Sequence, residues 1–307
     1  MYSYSPFILC YHRIDGQDLN QIGINPVSPT NFEAQMKYIS ENFNVVSLEE
    51  IHTRRQNNTV ALTFDDGYLD NLNNAAEILI KYNLPATFFI SSFYCSNELY
   101  FYHDIVPLLS DRDLDKFKIS NDSFSSMNFY KKILYFSKLD LEVIEFKLKE
   151  INDFAISTKL SRILPKVMNL EQVKELDRQF NFSIGTHTHF HSNLNTNNLD
   201  NSKLDYELGV KWLKENFSDY SRFFPFPFGQ PTDMSQDLIK YVFNKHGMVS
   251  MSTSPFNLTS KSDTINPVPR ISVQNWSLSQ FKFVLFSVRL ISLFPSTFNS
   301  INNIRKK

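Results

Sequence analysis

Short apolar runs alternate with amphipathic stretches along most of this 307-residue chain. Seven runs read as buried strands, at 7–11, 60–64, 86–90, 182–186, 222–226, 248–251 and 269–273. Each is too short for a helix and is rich in β-branched or aromatic residues. Between them, 31–43, 69–82, 202–217 and 235–245 carry apolar positions at helical spacing. Strands alternating with helices predict an α/β fold around a parallel sheet, open or closed into a barrel. One stretch breaks the rhythm: 94–166 is charged and helical without convincing strands. It predicts a helical insertion within one domain spanning 1–307. The segment 276–307 predicts an amphipathic helix and tail that close the domain; the helical part contains Lys282 and Arg289, and the tail ends in Arg305-Lys306-Lys307. The alternative for this segment is weak contact with a membrane surface.

Composition narrows the field. With 42% hydrophobic and 15% aromatic residues, the chain can build a sizeable core and is not globally disordered. A formal net charge of -1 argues against a nucleic-acid binder, which would carry a basic stripe. The two cysteines, Cys10 and Cys95, form no CxxC, so thiolate zinc and dithiol chemistry are disfavoured and buried free thiols are expected. No run of about 18 apolar residues reads as a membrane span, and the N-terminus lacks a basic region followed by an apolar one. The expected location is therefore the cytoplasm or the inner membrane face.

Three segments carry candidate chemistry. In Thr63-Phe-Asp-Asp-Gly-Tyr68 an apolar strand ends in two adjacent carboxylates and a glycine. Adjacent side chains on a strand point to opposite sides, so one carboxylate can hold a metal while the other takes a proton. The segment alone fits equally a strand running through an Asx-type turn into a helix N-cap. In Gly185-Thr-His-Thr-His-Phe-His191 three of the seven histidines fall within five positions. A helical turn would put His187 and His191 on one face and leave His189 pointing elsewhere. The alternative is a surface cluster without a ligand. Two histidines and a carboxylate with open positions suit a catalytic divalent metal, zinc first, with cobalt and nickel also compatible with these ligand types. The third segment, Phe224-Pro-Phe-Pro-Phe-Gly229, predicts a rigid loop past a strand that can present a backbone N–H to an oxyanion, or a proline-rich turn with no catalytic task.

TFDDG, then HTxxH more than 100 residues later, then the proline-aromatic-glycine loop, resemble in kind and order the polysaccharide deacetylases, the NodB-homology carbohydrate esterases of family four. The resemblance covers most of the chain apart from the 94–166 insertion and the C-terminal tail. It implies a distorted (β/α) barrel, TIM-like but with seven strands, and a site at the C-terminal ends of the strands. It also implies Asp65 as the base acting on a metal-activated water, Asp66, His187 and His191 as the metal ligands, and the Phe228 N–H in an oxyanion hole. Two departures stand out. Many members have an arginine in the third motif that orients the base, where this chain has Pro225. Arg270, in Val268-Pro-Arg-Ile271, is expected to supply that cation beside Asp65; a salt bridge elsewhere is the alternative. Many members also end with a Leu-x-x-His motif whose histidine is the general acid, yet no histidine follows Arg270. Leu9-Cys-Tyr-His12 at the end of the first strand resembles the arrangement of the biofilm poly-N-acetylglucosamine deacetylases, which implies His12 as the acid. Its alternative is a histidine bonded only to backbone. His52, His103 and His246 are given no role.

The resulting expectation is a metal-dependent hydrolase that removes N-acetyl groups from amino sugars of a glycan or its precursor, with no organic cofactor and no nucleic-acid partner. The rivals are hydrolysis of another amide, such as an N-formyl group on a nucleotide- or lipid-linked sugar, and an inactive glycan-binding module.

Overall fold

A computed structural model describes residues 6–16, 26–54, 56–117, 127–179, 181–195, 198–253 and 266–293. Among them, nine strands form two sheets, and every ladder is parallel. They are β1 (Phe7–Tyr11), β2 (Asn44–Val45), β3 (Thr59–Phe64), β4 (Ala86–Ile90), β5 (Phe182–Thr186), β6 (Phe223–Pro225), β7 (Val249–Ser252), β8 (Val268–Pro269) and β9 (Ile271–Ser272). The larger sheet runs β5-β4-β3-β1-β9, with β2 also on β3; the smaller runs β6-β7-β8. Parallel neighbours need crossovers, and helices supply them on the outside. The α/β architecture with parallel strands is thus the one expected. Among the described residues the ladders form two arcs rather than one ring. The arcs approach at both ends: Arg270 alone separates β8 from β9, and the Ser221 N–H donates to the Ile184 carbonyl at 2.8 Å just before β6.

Local chemistry fixes where the helices begin. Ser28 caps Pro29–Asn42 by accepting from the Asn31 N–H, with proline in the first turn. Asn169 and Gln172 form a capping box on Leu170–Asp177. Gln236–His246 ends at Gly247, whose φ of +64° suits a glycine stop. Three expectations need adjustment. The run 269–273 is not one strand, because Arg270 turns inward between β8 and β9. The helix expected over 69–82 opens with a π-turn, Asn71–Ala75, whose buried Asn71 reaches back to the His12 carbonyl at 2.8 Å. The two-residue β2 is too short to leave a pattern.

The main core lies within the strands and under the helices, and includes Leu9, Leu62, Phe88, Ile184 and Phe224. A second core belongs to the segment between β4 and β5. Here helices Phe129–Ser137 and Leu141–Ser157 bury Phe136, Ile144 and Leu148 together with Tyr68, Phe101, Tyr102 and Phe190. The C-terminal helix, Leu278–Leu293, buries Phe281 and Leu285 and exposes Phe283 and Phe286. The expected tail from residue 294 onward lies outside the described residues. No described helix is long and apolar enough to cross a membrane. Cys10 and Cys95 are free and buried.

Helix Leu199–Asn216 packs on the end of β5 through Gly209. A Cβ there would lie 2.4 Å from Thr186 Oγ1 and 2.9 Å from the Thr188 carbonyl carbon. Gly209→Ala should therefore destabilise the protein by about 1–3 kcal/mol despite the better helix propensity of alanine, measured as a lowered denaturant midpoint.

Candidate functional site

The end of β3 separates the two adjacent carboxylates. The Asp65 N–H continues the ladder by donating to the Tyr11 carbonyl at 3.0 Å. The chain then turns on Asp66, at φ +76°, and Gly67, at φ +90°, and the Gly67 N–H folds back onto the Asp65 carbonyl at 3.0 Å. The φ of +90° favours glycine at 67, and a Cβ there would also press on the end of the Ile90 side chain, 2.9 Å from Cδ1. Asp66 is a non-glycine in the left-handed region, a conformation retained when the surroundings over-determine it. The Ser91 N–H on its carbonyl is one such constraint.

Asp66 faces the histidine loop. Its Oδ1 lies 3.5 Å from His187 Nε2 and 3.2 Å from His191 Nε2. Nδ1 of His187 is 2.9 Å from the Pro225 carbonyl. A carbonyl can only accept, so Nδ1 carries the hydrogen and Nε2 turns a lone pair toward Asp66. The expected helical turn over 187–191 is not formed. These residues are a loop with Thr188 at φ +68° and His191 at φ +55°. The buried carboxylate of Asp205 holds it by accepting from the N–H groups of His189, Phe190 and Ser192. His189 turns away, its Nδ1 2.7 Å from Ser92 Oγ.

Both Asp66 oxygens are buried, and neither has a hydrogen-bond partner among the described residues. One ligand atom from each of Asp66, His187 and His191 lies within 4.8 Å of the others. A buried carboxylate with no donor, facing two imidazole nitrogens, is the donor set a divalent cation takes. Burial would raise the Asp66 carboxyl, but the neighbouring imidazoles, His191 foremost and then His12 and His187, outweigh it and hold the group well below the usual carboxylate range. Burial brings His187 down to about 4, keeping it neutral and able to ligate.

Asp65 is held differently. Arg270 grips it with two bonds, Nη1 to Oδ1 at 2.8 Å and Nη2 to Oδ2 at 2.7 Å. Arg270 also reaches Thr63 Oγ1 at 3.2 Å and the Ser252 carbonyl at 3.3 Å. Burial would raise Asp65, but the guanidinium outweighs it and brings the carboxyl down to about 2. His12, Cys10 and Asp65 each place one polar atom within 4.8 Å of the others. The Cys10 thiol, 3.5 Å from Asp65 Oδ2, is pushed well up by burial. Phe228 is at φ +64°, and its ring lies 5.4 Å from that of His191. Thr253 Oγ1 holds the Phe228 carbonyl at 3.0 Å, while no described backbone carbonyl accepts from the Phe228 N–H. Asp65, Asp66, His12, His187, His191, Phe228 and Arg270 thus converge at the C-terminal ends of the strands.

Several residues of this region were not foreseen. Asp205 sits on an amphipathic helix, where a carboxylate is ordinarily a solvated charge. Its spacing from Ser202, Gly209 and Trp212, all inward-facing, is the signal that could have marked it. His103 is close to the site. It lies in the expected insertion, yet its ring is 5.0 Å from that of His191. Its Nε2 is 2.9 Å from the Tyr68 hydroxyl, which donates to Asp104 Oδ2 at 2.8 Å. Burial brings His103 down to about 3 and raises Asp104 to about 7.

The raised Asp104 generates a pH prediction. Its folded pKa lies above the unfolded value of about 3.9, so its contribution is fully present at low pH and is lost as pH rises toward about 7. In metal-free protein, Asp104→Asn should gain Tm relative to wild type as pH rises from about 4 to 7, with the difference levelling off above. A difference independent of pH would contradict the assignment.

A family model described as polysaccharide deacetylase matches residues 52–250, which include Asp65, Asp66, His187, His191 and Phe228 but neither His12 nor Arg270. A comparison with curated protein sequences gives no match. Among solved structures, the Streptococcus pyogenes deacetylase PplD, in complex with acetate, aligns with a TM-score of 0.59 at 15% identity, covering 92% of this chain and 99% of that one. BC0361, a polysaccharide deacetylase from Bacillus cereus, gives 0.58 at 19%, covering 93% and 70%. IcaB from Ammonifex degensii gives 0.53 at 16%, covering 93% and 97%. At these identities the likeness concerns the fold. The family match spans more than half of the chain and takes in both the acidic and the histidine motif, so the chain belongs to the polysaccharide deacetylase family.

Proposed function

We propose that this protein hydrolyses N-acetyl groups on the amino sugars of a glycan or glycan precursor, with a divalent metal, zinc by preference, held by Asp66, His187 and His191. The observation that carries the reading is the division of labour at the end of β3: Asp66 buried without a donor against two imidazoles, and Asp65 fixed by Arg270 beside it. When bound, the cation supplies Lewis acidity that makes a water more acidic and polarises an acyl carbonyl.

The chain's own groups account for the remaining steps. Asp65 accepts a proton from the attacking water. A carboxylate brought down to about 2 is a weak base, so its role depends on that Lewis acid beside it. Arg270 keeps Asp65 ionised and aimed; Oδ2 accepts from Arg270 and the Cys10 thiol, while Oδ1 accepts from Arg270 and retains a lone pair for the water. The Phe228 N–H donates to the oxygen of the tetrahedral centre. His12, close to Asp65, gives a proton to the departing sugar nitrogen as the C–N bond breaks, leaving acetate and the free amine. On this reading the acid comes from the first strand.

The test is acetate release from N-acetylglucosamine oligomers by zinc-supplied protein, with matched N-formyl substrates alongside. Asp65→Asn should keep metal and lose about 10²–10⁴-fold in turnover, whereas His187→Ala should lose both. Full activity in either variant would contradict the assignment. Formate release alone would move the reading to deformylation, and glycan binding without product would favour a binding module.

A further inference from the structure

His187 and His191 are held in different ways. A metal-ligating histidine ordinarily donates its second ring N–H to an acceptor, which fixes the ring. His187 does so through Nδ1 and the Pro225 carbonyl. Nδ1 of His191 is buried without a partner among the described residues, and its backbone sits at φ +55°. Something else must hold this ring against rotation.

Three consecutive residues from the segment between β4 and β5 surround it. The Phe101 ring meets the His191 ring edge-on at 5.6 Å. The Tyr102 hydroxyl donates to the His191 carbonyl at 3.0 Å. The His103 ring lies at 5.0 Å, stacked in turn on Phe101 at 4.7 Å. The trio is anchored at two points. Asn152, fully buried on helix Leu141–Ser157, both donates to the Tyr100 carbonyl at 3.0 Å and accepts from the Tyr100 N–H at 2.8 Å. Tyr68 lies two residues after Asp66, and its hydroxyl meets His103 Nε2 while donating to Asp104. Because the hydroxyl proton goes to Asp104, His103 Nε2–H is the donor to Tyr68. Packing alone would seat this segment anywhere on the outside of the sheets; these bonds tie it to the backbone of one ligand and to the turn that bears another.

We propose that Phe101, Tyr102 and His103 are positioning residues for His191: the helical segment between β4 and β5 pre-orders one ligand of the metal site, and metal affinity depends on it. The proposal rests on the metal-binding reading above. It concerns the ligand's orientation, so its readout is metal affinity and coordination geometry rather than turnover.

The experiment uses the full chain as wild type, Tyr102→Phe, His103→Ala and His103→Gln, with Ile144→Val as a control that is buried in the same segment's core and takes no part in these hydrogen bonds and ring contacts. Zinc affinity is measured by chelator competition, coordination by the visible spectrum of the cobalt-loaded protein, and stability by thermal unfolding of the metal-free form. Tyr102→Phe and His103→Ala should lose about tenfold or more in zinc affinity and shift the cobalt bands. His103→Gln, which keeps a donor for Tyr68, should recover part of the loss. Ile144→Val should lower Tm and leave affinity unchanged. Wild-type affinity and spectra in both Tyr102→Phe and His103→Ala, with only Tm reduced, would overturn the proposal while leaving the metal reading intact. A wild type that takes up no zinc would overturn the metal reading itself.

Discussion

The fully buried Asp65–Arg270 pair is the constraint on which the rest of the site depends. Its guanidinium touches β3 through Thr63 and Asp65, the end of β7 through the Ser252 carbonyl, and by its own position joins β8 to β9. Thr63 passes the connection on to β1 through the Leu9 carbonyl. One side chain thereby gathers strands of both arcs at the end where the functional groups lie. Taking two charges out of water is costly, and a pair of this kind contributes little net stability compared with apolar packing. Its value lies in specificity: a bidentate grip leaves the Asp65 carboxylate one orientation, and the low pKa that follows keeps it ionised at neutral pH.

The second constraint is backbone geometry. Adjacent residues on a strand already face apart, and the left-handed turn at Asp66 and Gly67 carries that separation beyond the strand end. Asp65 can then stay with the cation that neutralises it, while Asp66 turns to imidazoles that leave room for a metal. The histidine loop is bent the same way at Thr188 and His191, and three N–H groups on Asp205 hold the bend. Strain at these positions is offset by bonds from neighbouring elements, which is how a loop delivers ligands as reproducibly as a helix would.

Much of this was legible in the chain. Apolar runs such as 60–64 and 86–90 are buried along their whole length, so parallel strands leave continuous patterns that survive without context. The carboxylate and histidine motifs were visible because their residue types are costly at the end of an apolar strand unless they have a task. Other features left no local trace. The break at Arg270 depends on a partner more than 200 residues away. The loop form of 187–191 depends on Asp205, whose helix reads as amphipathic either way. His103 looked remote because it lies in a charged helical stretch, and only the folding of that stretch over Tyr68 brings it to the site. What escapes is the non-local hydrogen bond; what is read correctly is the pattern of burial.

The central claim, a divalent cation held by Asp66 and its two histidines, is tested most directly by elemental analysis of purified chain after zinc supply and desalting, in wild type and in Asp66→Ala. The account predicts about one equivalent of metal in the wild type and its loss in a variant that remains folded by circular dichroism. A wild type without metal after reconstitution, or a full equivalent retained by Asp66→Ala, would contradict it.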